Sequence, residues 1–375
     1  MEYSQNEKVF FYVCPTGPPE DANYQHLIVC LAEGFKKIGI EFYASNNYWK
    51  LSHSEEIYLL KYEPKVSFQD CTIVVIDQHW YRKYGIPKEL LSPNRNFTTV
   101  FLDSEDWFGA SWSQEFRQFD VILRTHYNNK LANPKNVYPW GFGLSERILR
   151  ETNSPLAFKQ RKNGFQVNFR HHSILGMHSV RKFVNTKILP LVDLIMPLER
   201  GIDPQYSPPL DTYQYLMWHQ SGCRHYPSYY ERLQKIRACG AFGGFFYPPL
   251  FKRPNKLAYI FLRKFFAKSR LKSDIIIQWD SWRFWESLAA GCATFHVDFQ
   301  KYGCQLPVMP QNWVHYIGFD LDNIQATLDR LIEEPEILEK VASSGREWAI
   351  NNFGTESTAK RFLQVIDQAR RATTE

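Results

Sequence analysis

Between Ile275 and His296 the sequence reads IIIQWDSWRFWESLAAGCATFH, and within two helical turns it sets Gln278, Asp280, Ser281, Arg283 and Glu286 beside an apolar run. Carboxylate, amide, hydroxyl and guanidinium groups at this density can converge on one polar, anionic molecule. A carboxylate at Glu286 accepts from both hydroxyls of a ribose, and Arg283 can pair with a phosphate through two parallel N–H bonds. The alternative readings are internal: Asp280 and Ser281 as helix caps, and Arg283 as a brace for Glu286.

These residues must be positioned by what flanks them. The triplet Ile275–Ile277 reads as a fully buried parallel strand, Leu288, Ala289 and Ala290 as the apolar side of a helix, and Gly291 as its tight stop. Strand, polar turn and helix in that order build ligand sites at strand carboxyl ends.

The segment WRFWESLAAGCATFHVDFQKYG resembles the nucleotide-sugar-binding part of GT-B-type glycosyltransferases, in particular the C-terminal region of the retaining families. In those families two glutamates with seven residues between them flank the donor. Glu286 matches the second, which holds the ribose hydroxyls, while the first falls on Gln278, an uncharged amide. The resemblance implies an α/β fold with two Rossmann-like domains facing across a cleft and a C-terminal helix crossing back to the first. It also implies a basic residue at the end of the second domain's first strand, here Arg170, neutralising the donor diphosphate without a metal or other cofactor. Donor binding is thus expected from Arg170, Gln278, Asp280, Arg283 and Glu286, with Gln278 and Glu286 at the catalytic centre.

A length of 375 residues suits two domains. The spacing predicts strands Val9–Cys14, Ile40–Ala44, Thr72–Asp77, Thr98–Asp103, Asp120–Arg124 and Asn136–Tyr138, with a helix over Asn23–Gly39, as an acceptor domain of residues 1–150. Segment 144–163 reads as the linker. A donor domain of residues 160–350 is expected to hold strands Phe165–Phe169, Leu194–Met196 and Ala241–Phe246, a helix from His178 to Leu191, an aromatic loop over 201–219 and a helix over 226–237. Strand Val314–Phe319 and helices over 322–332 and from Pro335 to Trp348 follow, and residues 351–375 form the returning helix.

In the first domain the DSEDW segment lies at a strand end, so Asp103 or Asp106 could deprotonate an acceptor hydroxyl, with His26 and His126 as competitors. The neighbours His171, His172 and His178 lack the spacing of a metal site, and no metal is expected. Segment 252–272 contains no acidic residue. A helix over 256–270 would line up Lys256, Arg263 and Arg270 beside an apolar stripe, giving either a solvated face or a contact with an anionic bilayer.

The net charge of +6 favours anionic ligands such as nucleotide diphosphates, and the absence of a known nucleic-acid module argues against nucleic acid as a partner. Cysteines without a CxxC pair, and no signal-like or membrane-spanning run, imply a cytoplasmic protein. The sequence therefore points to transfer of a sugar from a nucleotide-diphosphate donor to a carbohydrate, lipid-linked or small-molecule hydroxyl. The alternative is an inactive binder of the same fold, which the missing glutamate at Gln278 supports.

Overall fold

The computed structural model describes residues 7–18, 23–106, 113–169, 178–201, 208–224, 227–248 and 273–374. Eight strands come first: β1 (Lys8–Tyr12), β2 (Glu41–Ala44), β3 (Tyr48–Lys50), β4 (Tyr58–Leu60), β5 (Ile73–Asp77), β6 (Thr98–Asp103), β7 (Val121–Arg124) and β8 (Val137–Pro139). Six of them form a parallel sheet in the order β2-β1-β5-β6-β7-β8, while β3 and β4 make a separate antiparallel pair. Sequence dictates this directly, because runs such as Ile73–Asp77 and Thr98–Asp103 are buried on both faces and only a helix-covered parallel sheet accommodates them. Val9 and Phe11 enter one core and Phe10 the other.

A second parallel sheet, ordered β10-β9-β11-β14-β15, is built from β9 (Lys162–Val167), β10 (Leu198–Glu199), β11 (Ile236–Gly240), β14 (Ala293–Val297) and β15 (Ile317–Phe319). Between β11 and β14 the chain forms an antiparallel ribbon of β12 (Phe245–Tyr247) and β13 (Ile275–Ile277). Each sheet winds outward from an inner strand, so the carboxyl ends of both carry the loops that can form a site.

The final helix, Thr355–Thr374, returns to the first sheet. Its Phe362 meets Phe35 of helix His26–Ile38 at 5.4 Å, and Arg370 bonds Thr98 and Glu7. Gly34 permits this, since a Cβ there would lie 2.1 Å from the Thr355 carbonyl oxygen.

Several expectations are corrected. Ile275–Ile277 is buried but antiparallel to Phe245–Tyr247, outside the main sheet. Of the strand expected over Ala241–Phe246, only Phe245 and Phe246 are strand, at the start of β12; β11 ends at Gly240, and the chain turns at Gly244, where φ is +89. Leu194–Met196 is a turn with Leu194 exposed, and the neighbour of β9 is Leu198–Glu199, held by a bond from the Leu198 N–H to Asp193. The loop over 201–219 contains helix Thr212–Gln220, capped by Asp211 and burying Leu216 and Met217 against first-sheet residues. The linker is ordered: Ser145 caps helix Glu146–Glu151, which buries Arg147 and Ile148. Arg170, His171, His172 and the proposed helix 256–270 lie outside the described residues. Among those described, no helix is long and apolar enough to cross a membrane.

Candidate functional site

At the carboxyl end of the first sheet, β6 and β7 deliver Asp103 and Arg124 to the same face. The Arg124 Nη1 donates to Asp103 Oδ1 at 2.8 Å and to the Glu105 carbonyl at 2.8 Å, with both residues essentially buried. Asp103 Oδ1 is therefore engaged in an internal ion pair, while its Oδ2 is buried without a hydrogen-bond partner.

Asp106, three residues on, is different. Its side chain is 60% exposed and its Oδ1 lies 3.8 Å from His126 Nε2. Burial, and then Glu105, raise its carboxyl, opposed by Arg124, Arg82 and Arg181. His126 is buried, and neither ring nitrogen has a hydrogen-bond partner. Burial, and then Arg124, hold its imidazole well below the usual range, so it is neutral and offers one N–H and one lone pair. His26, the other competitor, is satisfied: Tyr24 Oη lies 2.8 Å from Nδ1 and the Phe142 carbonyl 3.0 Å from Nε2. It ties the first helix to the crossover between sheets.

Arg181 of the second half lies within electrostatic reach of Asp106, and Arg283 lies near Arg181. Arg181, in helix Ser179–Phe183, donates through Nε to the Phe242 carbonyl at 3.0 Å, and Arg283, in helix Trp282–Ala289, donates through Nε to the Asn168 carbonyl. Both guanidinium stems are thus pinned to backbone at the carboxyl end of β9 and β11. Burial and then the like charge of Arg283 push Arg181 down to about 9, while Asp106 opposes this. Two like charges near one another at strand ends are an arrangement that an anion such as a diphosphate can neutralise.

The other expected donor residues divide. Gln278 adopts φ 58 in the turn between β13 and the helix, packed against Gly243 and Gly244, where a Cβ would run into the Trp279 and Ile277 carbonyl oxygens. A non-glycine residue held in the left-handed region is strained, and such strain gathers at functional sites. Asp280 is buried, accepting the Phe142 N–H at 3.0 Å on one oxygen and the Trp285 indole N–H at 2.9 Å on the other. Burial raises its carboxyl to about 8. It fastens the turn to the crossover instead of lining the cleft. Ser281 is the N-cap of the helix, though its side chain makes no cap bond.

Glu286 is 1% exposed. The Tyr229 hydroxyl donates to Oε2 at 3.0 Å and the Tyr230 hydroxyl to Oε1 at 2.9 Å. Burial, and then Glu286 itself, raise both phenols well above their ordinary value, so they stay protonated donors. The carboxylate expected to face the ribose lies beneath the site, clasped by helix Pro227–Lys235. Sequence reasoning missed Arg181, Tyr229 and Tyr230. The available signals were an arginine one loop beyond β9 and adjacent tyrosines on a helix that leads directly into a buried strand. Among the described residues no three His, Cys, Asp or Glu side chains gather to hold a metal ion.

No family model matches the sequence, and no curated protein matches it. Solved structures do match over nearly the whole chain. An alpha-glucosyltransferase in complex with UDP-glucose and DNA containing an abasic site aligns at TM-score 0.52 and 12% identity, over 96% of this chain and 98% of that one. AviGT4, a glycosyltransferase involved in avilamycin A biosynthesis, aligns at TM-score 0.50 and 12% identity, over 97% of each. The fold is that of the GT-B glycosyltransferases.

On this GT-B frame Asp106 and His126 belong to the first Rossmann-like half, and Arg181, Arg283, Gln278 and Glu286 to the second. One expectation is overturned. Nucleic acid was excluded for want of a recognised module, yet the alpha-glucosyltransferase that shares this GT-B fold is seen with DNA, and a second structure of it, at TM-score 0.50 and 11% identity over 96% of this chain and 99% of that one, holds UDP and a 13-mer DNA containing an HMU base.

Proposed function

We propose that the protein transfers a sugar from a nucleotide-diphosphate donor to an acceptor hydroxyl, with the donor in the half formed by residues 160–350, the acceptor in that of residues 1–150 and the helix of residues 351–375 closing the frame. The observation that carries this reading is the closeness of Arg181 to Arg283 at the strand ends and to Asp106. Fixed guanidiniums stabilise the charge that develops on a departing diphosphate, and they do so without a metal or other cofactor. That UDP and UDP-glucose occur in proteins of this fold supports the same donor class here.

On the acceptor side, Asp106 is the carboxylate placed to take the hydroxyl proton, with buried, neutral His126 3.8 Å behind it. Gln278 brings an amide where a charged nucleophile or stabiliser would stand, so the carboxylate that matters lies in the first half. Bringing the halves together excludes water that would hydrolyse the donor.

Incubation with UDP-, GDP- and TDP-sugars in the presence of candidate acceptors, DNA included, followed by release of nucleoside diphosphate, tests the reading. Release that disappears in Arg283→Ala and in Asp106→Asn is expected. Tight nucleotide-sugar binding with no release under any acceptor would instead establish the catalytically inactive binder that Gln278 favours.

A further inference from the structure

The proposed transfer leaves one group of side chains on the first sheet unused. Three rings form a ladder there: Tyr12, the last residue of β1, lies 4.9 Å from Trp80, and Trp80 lies 4.5 Å from Tyr84, all between centroids. Tyr12 and Trp80 are half-buried, and Tyr84 is 51% exposed, so the ladder opens to solvent at its outer end. Tyr84 and Trp80 lie one turn apart on helix Gln78–Tyr84, which Asp77 starts by accepting the His79 and Trp80 N–H groups.

Beside the rings lie unmet polar atoms. The Trp80 indole N–H and the Gln78 Oε1 have no hydrogen-bond partner, and Gln78 is 8% exposed. A buried acceptor left unsatisfied is costly, and a ligand hydroxyl would satisfy it. The same helix is tied toward the reaction centre, because Arg82 pairs with Glu105 of the segment that carries Asp106.

From this the geometry points to an acceptor subsite for a neutral glycan, stacked on Tyr84 and Trp80 and hydrogen-bonded by Gln78 and the indole N–H, an assignment that rests on the glycosyltransferase reading. Flat rings with uncharged donors and acceptors suit sugar faces and their hydroxyls. A polyanion is disfavoured locally: Arg82 is spent on Glu105, Lys83 lies over the Tyr84 ring at 5.6 Å, and Glu89 sits close enough to Tyr12 to raise its phenol.

Calorimetric titration of the full chain with maltohexaose, cellohexaose and chitohexaose, and separately with a short DNA duplex, tests the assignment. At least one oligosaccharide should bind, and Tyr84→Ala should weaken it about five- to tenfold with Tyr84→Phe near wild type. Tyr84 is exposed enough that its removal leaves the melting temperature unchanged, and Trp80→Leu provides a second variant. Binding of no oligosaccharide, equal binding by both variants, or DNA binding that alone is lost in Tyr84→Ala would overturn the proposal. Nucleotide release from the donor by the wild-type chain, measured without the oligosaccharides, reports on the transfer reading, so its failure and the failure of this subsite are read separately.

Discussion

The two sheets end differently where they face each other. The first closes its strongest charges on themselves, with Arg124 clamped on Asp103 deep in the protein, and exposes the Asp106 carboxylate beside a buried, neutral His126. The second pins two guanidiniums by their Nε atoms to backbone carbonyls and keeps them side by side. The difference teaches a division of labour for the proposed transfer: a first half whose Asp103–Arg124 charges are paired internally, and a second half whose guanidiniums are anchored whether or not an anion is present. Preorganised charge of this kind needs no rearrangement as a phosphate leaves.

That contrast can be broken most severely at Arg124. Arg124→Ala strands Asp103 in the interior and should cost about 3–5 kcal/mol in denaturant-unfolding stability. Arg283→Ala, by comparison, should shift stability by about 1 kcal/mol or less. Equal losses in the two variants would show that the donor-side guanidinium is a structural strut.

A pH series sharpens the comparison next. Asp280 has its carboxyl raised to about 8, so between the unfolded value and about 8 the folded protein holds a proton that the unfolded chain has released. Its contribution to stability is therefore fully present below pH ~4 and is lost progressively as pH rises through ~8, by on the order of a few kcal/mol. Asp280→Asn should flatten that part of the stability profile, at the cost of one of the two bonds that need paired acceptors. Glu33, buried and raised to about 8, adds a slope of the same sign that the variant leaves in place. An Asp280→Asn profile parallel to wild type would remove Asp280 as the titrating latch between turn and crossover.

Smaller effects are expected at Glu286. Tyr229→Phe or Tyr230→Phe deprives a buried carboxylate of one donor and should destabilise by about 1.5–3 kcal/mol. If either variant instead raises nucleotide affinity, Glu286 is a ribose ligand masked by its tyrosines. The smallest change, Arg283→Lys, should reduce nucleotide affinity about tenfold, since a point charge replaces a planar fork, with stability within about 0.5 kcal/mol of wild type.

Much of the frame was legible because it depends on local, repeated signals. Runs such as Thr98–Asp103, the helix ending at Gly39 with φ 75, and the amphipathic Thr355–Thr374 each carry their own periodicity. What failed was pairing at a distance. Ile275–Ile277 reads identically as a central parallel strand or as half of a buried ribbon, and only contact with Phe245–Tyr247 decides. Site residues followed the same rule. The helix beginning at Trp282 was visible with Arg283 on it, but that Glu286 is taken by Tyr229 and Tyr230, or Asp103 by Arg124, rests on side chains far apart in sequence.

The account depends on Arg181 and Arg283 gripping a diphosphate. Titrating the wild-type chain with UDP and with uridine, and repeating both with the Arg181→Ala/Arg283→Ala variant, measures that grip directly. UDP should bind wild type far more tightly than uridine, by at least about a hundredfold if each guanidinium contributes a charge-assisted pair, and the double variant should bring the two ligands to nearly equal affinity. A preference for UDP that survives in the double variant would contradict the account.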